Sequence, residues 1–102
     1  MTVIEKIEKI AQLSEYNTEM IVAIEELAEL QKAICKVLRN PEDEAWVENL
    51  HEEIVDVLVV VKILIYYFNI NLSEIHVGTH RKLDRTLEQL KFRRLNLEGR
   101  NG

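Results

Sequence analysis

Residues 54–68 read IVDVLVVVKILIYYF, a stretch that is apolar except for Asp56 and Lys62. Its valines and isoleucines favour a strand, and its apolarity suggests a membrane span. A strand of this length would be unusual, since most run five or six residues. A spanning helix needs about 20 consecutive apolar residues with few or no charges. The reading that survives is a helix buried nearly all round, at the centre of a bundle or at a subunit interface. On that reading the chain is all-α.

The flanking sequence extends the same pattern. Asn40-Pro41 predicts a helix restart, with asparagine at the N-cap, proline at the first helical position, and Glu42, Asp43 and Glu44 in the first turn, where the helix dipole favours acids. The helix so opened is expected to reach about Phe68. Upstream, Asn17 or Thr18 is the expected cap of a helix running to about Arg39, preceded by one from about Thr2 to Leu13 whose Val3, Ile4, Ile7, Ile10 and Ala11 form an apolar stripe. Downstream, Asn71 and Ser73 open a fourth helix, with Leu72, Ile75, Leu83, Leu87 and Leu90 as expected buried positions. From about Phe92 to Gly102 the charged, glycine-ended sequence predicts a flexible tail. Only one proline and three glycines occur, too little turn chemistry for a sheet protein. The expected architecture is one domain over residues 1–102, a four-helix bundle completed by dimerisation, because 102 residues bury a modest core alone.

Charge narrows the function. Thirteen basic against eighteen acidic residues give a net charge of -5, which argues against a partner bound through a broad basic surface, nucleic acid above all. Cys35 is the single cysteine, so no intrachain disulfide forms, and a reducing compartment fits. The opening MTVIEKIEKI interleaves charges with apolar residues and does not read as a signal peptide. The expected location is cytoplasmic, with no membrane partner.

Two acidic motifs carry the chemistry. The second helix holds Glu25-Glu26-Leu27-Ala28-Glu29, and the third holds Glu52-Glu53-Ile54-Val55-Asp56. Acids three residues apart share a helical face, which pairs Glu26 with Glu29 and Glu53 with Asp56. At about 100° per residue, Glu26 and Glu29 fall on a stripe with Val22 and Ala33, and Glu53 and Asp56 fall on one with Asn49 and Val60. Glu25 and Glu52 are left on the solvent side. Four carboxylates converging from two helices repel one another and lose hydration. A hard divalent cation with oxygen ligands resolves that conflict.

The pattern EELAEL (25–30) followed by EEIVDVLVVV (52–61) resembles the MazG-like, all-α nucleoside triphosphate pyrophosphohydrolases, a likeness that covers about Asn17 to Leu90. The resemblance implies a bundle that forms a dimer or a pair of dimers. It also implies magnesium-dependent cleavage between the α and β phosphates of a (d)NTP, giving the monophosphate and pyrophosphate, with manganese as a substitute metal. Carried over by motif, Glu26, Glu29, Glu53 and Asp56 are the metal ligands and catalytic residues, with Glu29 nominated to orient or deprotonate the attacking water. Lys82 and Arg85, on the following helix, match the phosphate-holding positions, and Trp46 is a candidate to stack on the base.

Other readings compete. Glu48-x-x-His51 matches half of a di-iron carboxylate motif that such bundles need twice, and no second copy occurs. His76 and His80 have helical metal spacing without further ligands nearby, and Cys35 reads as a small buried residue. A helical oligomerisation or interaction module would explain the apolar run, but not the acids that open it.

Overall fold

A computed structural model describes residues 1–101, with side chains as far as Gly99. Four helices account for it: α1 (Val3–Leu13), α2 (Tyr16–Arg39), α3 (Glu44–Tyr67) and α4 (Leu72–Asn101). No strand occurs among the described residues, so the all-α expectation holds. No described helix is long and apolar enough to cross a membrane. The chain divides into two units, Met1–Asn69 and Ile70–Gly102.

In the first unit both α1 and α2 pack on α3. Thr2 caps α1: its Oγ1 accepts from the Glu5 N–H at 3.1 Å and donates to Glu5 Oε1 at 3.1 Å, which satisfies a donor that the first turn leaves free. At the other end the Ser14 N–H and hydroxyl both donate to Ile10 O. Tyr67, at the end of α3, donates its hydroxyl to Ala11 O at 3.0 Å. Its ring meets Tyr16 edge-on, with centroids 5.7 Å apart. One phenol thus pins the end of α1 and the start of α2 to the end of α3.

The buried residues are Ala11, Ala23, Ala33, Val60 and Ile63. Three of the five are alanines, so the helices approach closely and no large side chain is fully enclosed. The run expected to be buried all round is buried on one face only. Val60 and Ile63 face inward, while Ile54, Val55, Leu58, Val61 and Phe68 remain exposed. A three-helix unit offers α3 too few neighbours to cover its whole circumference.

The starts of α3 and α2 differ from expectation. Asn40 ends α2 rather than opening α3, because its backbone N–H and its side-chain Nδ2 both donate to Lys36 O. Pro41 and Glu42 then form a turn, and Asp43 caps α3 by accepting from the Ala45 N–H at 3.0 Å. Of the three acids from 42 to 44, only Glu44 lies in the first turn. Helix α2 starts at Tyr16 behind Glu15, without a side-chain cap, so neither Asn17 nor Thr18 serves that role. Asn69 follows α3 with φ 48°, the left-handed conformation that asparagine tolerates better than most residues and that ends a helix.

Helix α4 opens as expected at Asn71, whose Oδ1 accepts from the Ser73 N–H at 2.8 Å. It stays helical to Asn101, past the point near Phe92 where the composition suggests a tail. The expected burial of Leu72, Ile75, Leu83, Leu87 and Leu90 does not occur: every α4 side chain to Gly99 is exposed in the single chain. Helical periodicity shows that a face is apolar, not what covers it. Cys35, read as buried, is exposed as well.

Candidate metal centre

The seam between α2 and α3 is lined by small residues, and the acids lie along it. Ala33 is the most enclosed residue of the chain at 1 % exposed, and Glu26 stands two turns before it on the same face of α2. Glu53 stands two turns before buried Val60 on the facing stripe of α3, with half-buried Asn49 one turn earlier. Of the stripes read from the sequence, Val22, Glu26 and Ala33 on α2 and Asn49, Glu53 and Val60 on α3 are the buried or half-buried members, while Glu29 and Asp56 are exposed. Glu25 and Glu52 are exposed, as expected.

Because alanine holds the two helices close, carboxylates from both meet. Oxygens of Glu26, Glu53 and Asp56 all lie within 4.8 Å of one another. Glu26 and Glu53 are half-buried and Asp56 is exposed. Glu53 Oε2 is fully enclosed and has no hydrogen-bond partner. A buried carboxylate oxygen without a donor is costly, because its lost hydration is not replaced.

Both half-buried acids hold their protons more tightly than the ordinary value of 4.5. For Glu26 the main cause is partial desolvation, followed by the charges of Asp56, Glu53, Glu29 and Glu25. For Glu53 it is again desolvation, followed by Asp56, Glu29 and Glu52. The neighbouring acids thus make Glu26 and Glu53 harder to ionise, the mark of a place with too much negative charge.

The donor set fits a hard divalent cation. It is all carboxylate oxygen, which suits magnesium, manganese or calcium and is a poor match for soft metals. Opposite oxygen ligands of a magnesium ion stand about 4.2 Å apart, twice a bond length of about 2.1 Å, a span similar to that of the three acids.

Glu29, the fourth expected ligand, lies outside this group. It is exposed, one turn beyond Glu26, yet close enough for its charge to act on both half-buried acids. Trp46 is half-buried at the start of α3, with the Lys36 ammonium 4.2 Å from its ring centroid. Helical spacing alone does not reveal that cation–π contact, because it joins different helices across a turn. Lys82 and Arg85 are exposed on α4, in the second unit. Glu48 and His51 are exposed and outside the acid group, and among the described residues no histidine joins it. His76 and His80 stack edge-on with ring centroids 4.6 Å apart, both exposed on α4.

Comparison with protein-family models, with curated proteins and with solved structures gives no match.

Proposed function

We propose that this chain is a magnesium-dependent nucleoside triphosphate pyrophosphohydrolase, cleaving the α–β phosphate bond of a (d)NTP to a monophosphate and pyrophosphate. The observation that carries the reading is the meeting of Glu26, Glu53 and Asp56, together with an enclosed Glu53 oxygen that has no partner. The likeness of EELAEL and EEIVDVLVVV to the MazG-like enzymes supplies the reaction class.

In this reading Glu26, Glu53 and Asp56 hold the cation, with manganese able to substitute. When bound, the ion supplies positive charge against the phosphates and lowers the pKa of a coordinated water. Glu29, exposed beside the group, accepts a proton from the attacking water at its carboxylate. A free carboxylate near the metal, rather than one committed to it, is suited to that work. The family likeness assigns phosphate binding to Lys82 and Arg85, which lie in the second unit and are free to make charge-assisted hydrogen bonds. Trp46 receives the base on its ring face, which Lys36 occupies in the free chain and yields on binding.

A homodimer, or a pair of dimers, completes the molecule. On α2, Ile24, Leu27, Ile34 and Leu38 are exposed at helical spacing, and on α3 Ile54, Leu58 and Val61 form a similar exposed row. Rows of this kind seek cover from another subunit. The same rows favour a second reading, a helical interaction module without catalysis. That module leaves the orphaned Glu53 oxygen without a role.

The experiment that separates them scores pyrophosphate release from a panel of standard and modified nucleotides, with and without magnesium. Magnesium-dependent release that disappears in Glu53→Gln supports the enzyme. No release from any nucleotide, together with no metal-induced rise in melting temperature, favours the module.

A further inference from the structure

The α4 surface specifies a partner through its charges. Leu83, Leu87, Leu90 and Leu97 follow a 3–4 spacing along one face and are all more than half exposed. His80 precedes them on the stripe, and Arg94 interrupts it. The Arg94 guanidinium is turned along its own helix, with Nε donating to Glu98 Oε1 at 3.4 Å, so its aliphatic stem can lie on the seam. The stripe from residue 80 to 97 is about 27 Å long and has the spacing of a coiled-coil seam.

Asp84 and Lys91 each follow a seam leucine, Leu83 and Leu90, and so flank the seam on the same side. Thr79, Thr86 and Arg93 flank the other side, and the two threonine hydroxyls are already committed to Ile75 O at 2.7 Å and Lys82 O at 2.8 Å. We propose that α4 pairs antiparallel with α4 of a second copy of this chain, centred between Glu88 and Gln89. In that register Leu87 meets the partner's Leu90, and Asp84 meets the partner's Lys91, twice by symmetry. A parallel pair places Arg94 against the partner's Arg94 in the seam and sets Asp84 and Lys91 beside threonines. Its one opposite-charge contact, Arg93 with the partner's Glu98, draws on a carboxylate already paired with Arg94 of its own helix, and the seam arginines add a repulsion. Flanking charges set helix orientation in this way.

A reciprocal charge swap on the full chain tests the register. Sedimentation velocity over a concentration series reads the association, and circular dichroism checks that each variant keeps its helix content. Asp84→Lys and Lys91→Asp each weaken the association at least tenfold, because each places like charges opposite one another. The double variant D84K/K91D recovers to within about threefold of the unmodified chain. Single swaps without effect, or a double variant as weak as the singles, overturn the proposal. Recovery in the double also shows that a weak single variant had not merely misfolded.

Discussion

Replacing Ala33 by leucine tests how the fold builds the site. Ala33 is 1 % exposed on the buried face of α2, and leucine brings three more carbons to that position. Leucine is a good helix former, so intrinsic propensity does not account for any loss. Forcing extra methylenes into a packed seam costs about 1–3 kcal/mol. A domain of this size loses about 4–8 °C of melting temperature per kcal/mol. The expected fall is therefore roughly 5–20 °C in a thermal melt followed by circular dichroism. Glu26 lies two turns along the same face, so the wedge also spreads the carboxylates and reduces the stabilisation that added magnesium gives. Ala28→Leu, at an exposed position of the same helix, is the control and stays near the unmodified value. An Ala33→Leu melt within a degree of the parent would refute the idea that close α2–α3 contact at alanine holds the acids together.

Two further outcomes follow from particular groups. Glu26 and Glu53 bind protons more tightly when folded than the ordinary 4.5, so their contribution to stability is full below that value and lost as pH rises through the raised ones. Chemical denaturation without metal should therefore show these two acids favouring the fold more at mildly acidic than at neutral pH. Glu53→Gln should flatten that slope, and an unchanged slope counts against the acid cluster. Tyr67→Phe keeps the ring packing on Tyr16 but removes the donor to Ala11 O. It should cost about 1 kcal/mol in urea denaturation, with nucleotide hydrolysis unaffected, and a variant as stable as the parent would show that the hydroxyl does not anchor α1.

The all-α class and the facing acid stripes were legible because both rest on helical periodicity, a local property. Spacing alone placed Glu26 and Glu53 inward and Glu25 and Glu52 outward, but it also placed Glu29 and Asp56 inward, and both are exposed at the edge of the stripe. Helix boundaries were less legible where two signals competed at one point. Asn40 beside Pro41 suits an N-cap, but its side chain also reaches back to Lys36 O, and that contact wins. Contacts between distant residues left no local mark. Tyr67 and Ala11 are 56 residues apart, and nothing near either announces the hydrogen bond. The burial expected of the α4 leucines failed for a related reason. An apolar stripe records a demand for cover, and within one chain that demand on α4 goes unmet.

We propose that Glu53, with Glu26 and Asp56, is built to hold a divalent cation. Titration of the purified chain with manganese, followed by the loss of the free-ion paramagnetic signal in the presence of a non-hydrolysable nucleotide, tests it directly. The account predicts saturable binding in the unmodified chain and at least a tenfold loss of affinity in Glu53→Gln, with the helix content unchanged. Equal manganese uptake by both chains, or none by either, would contradict it.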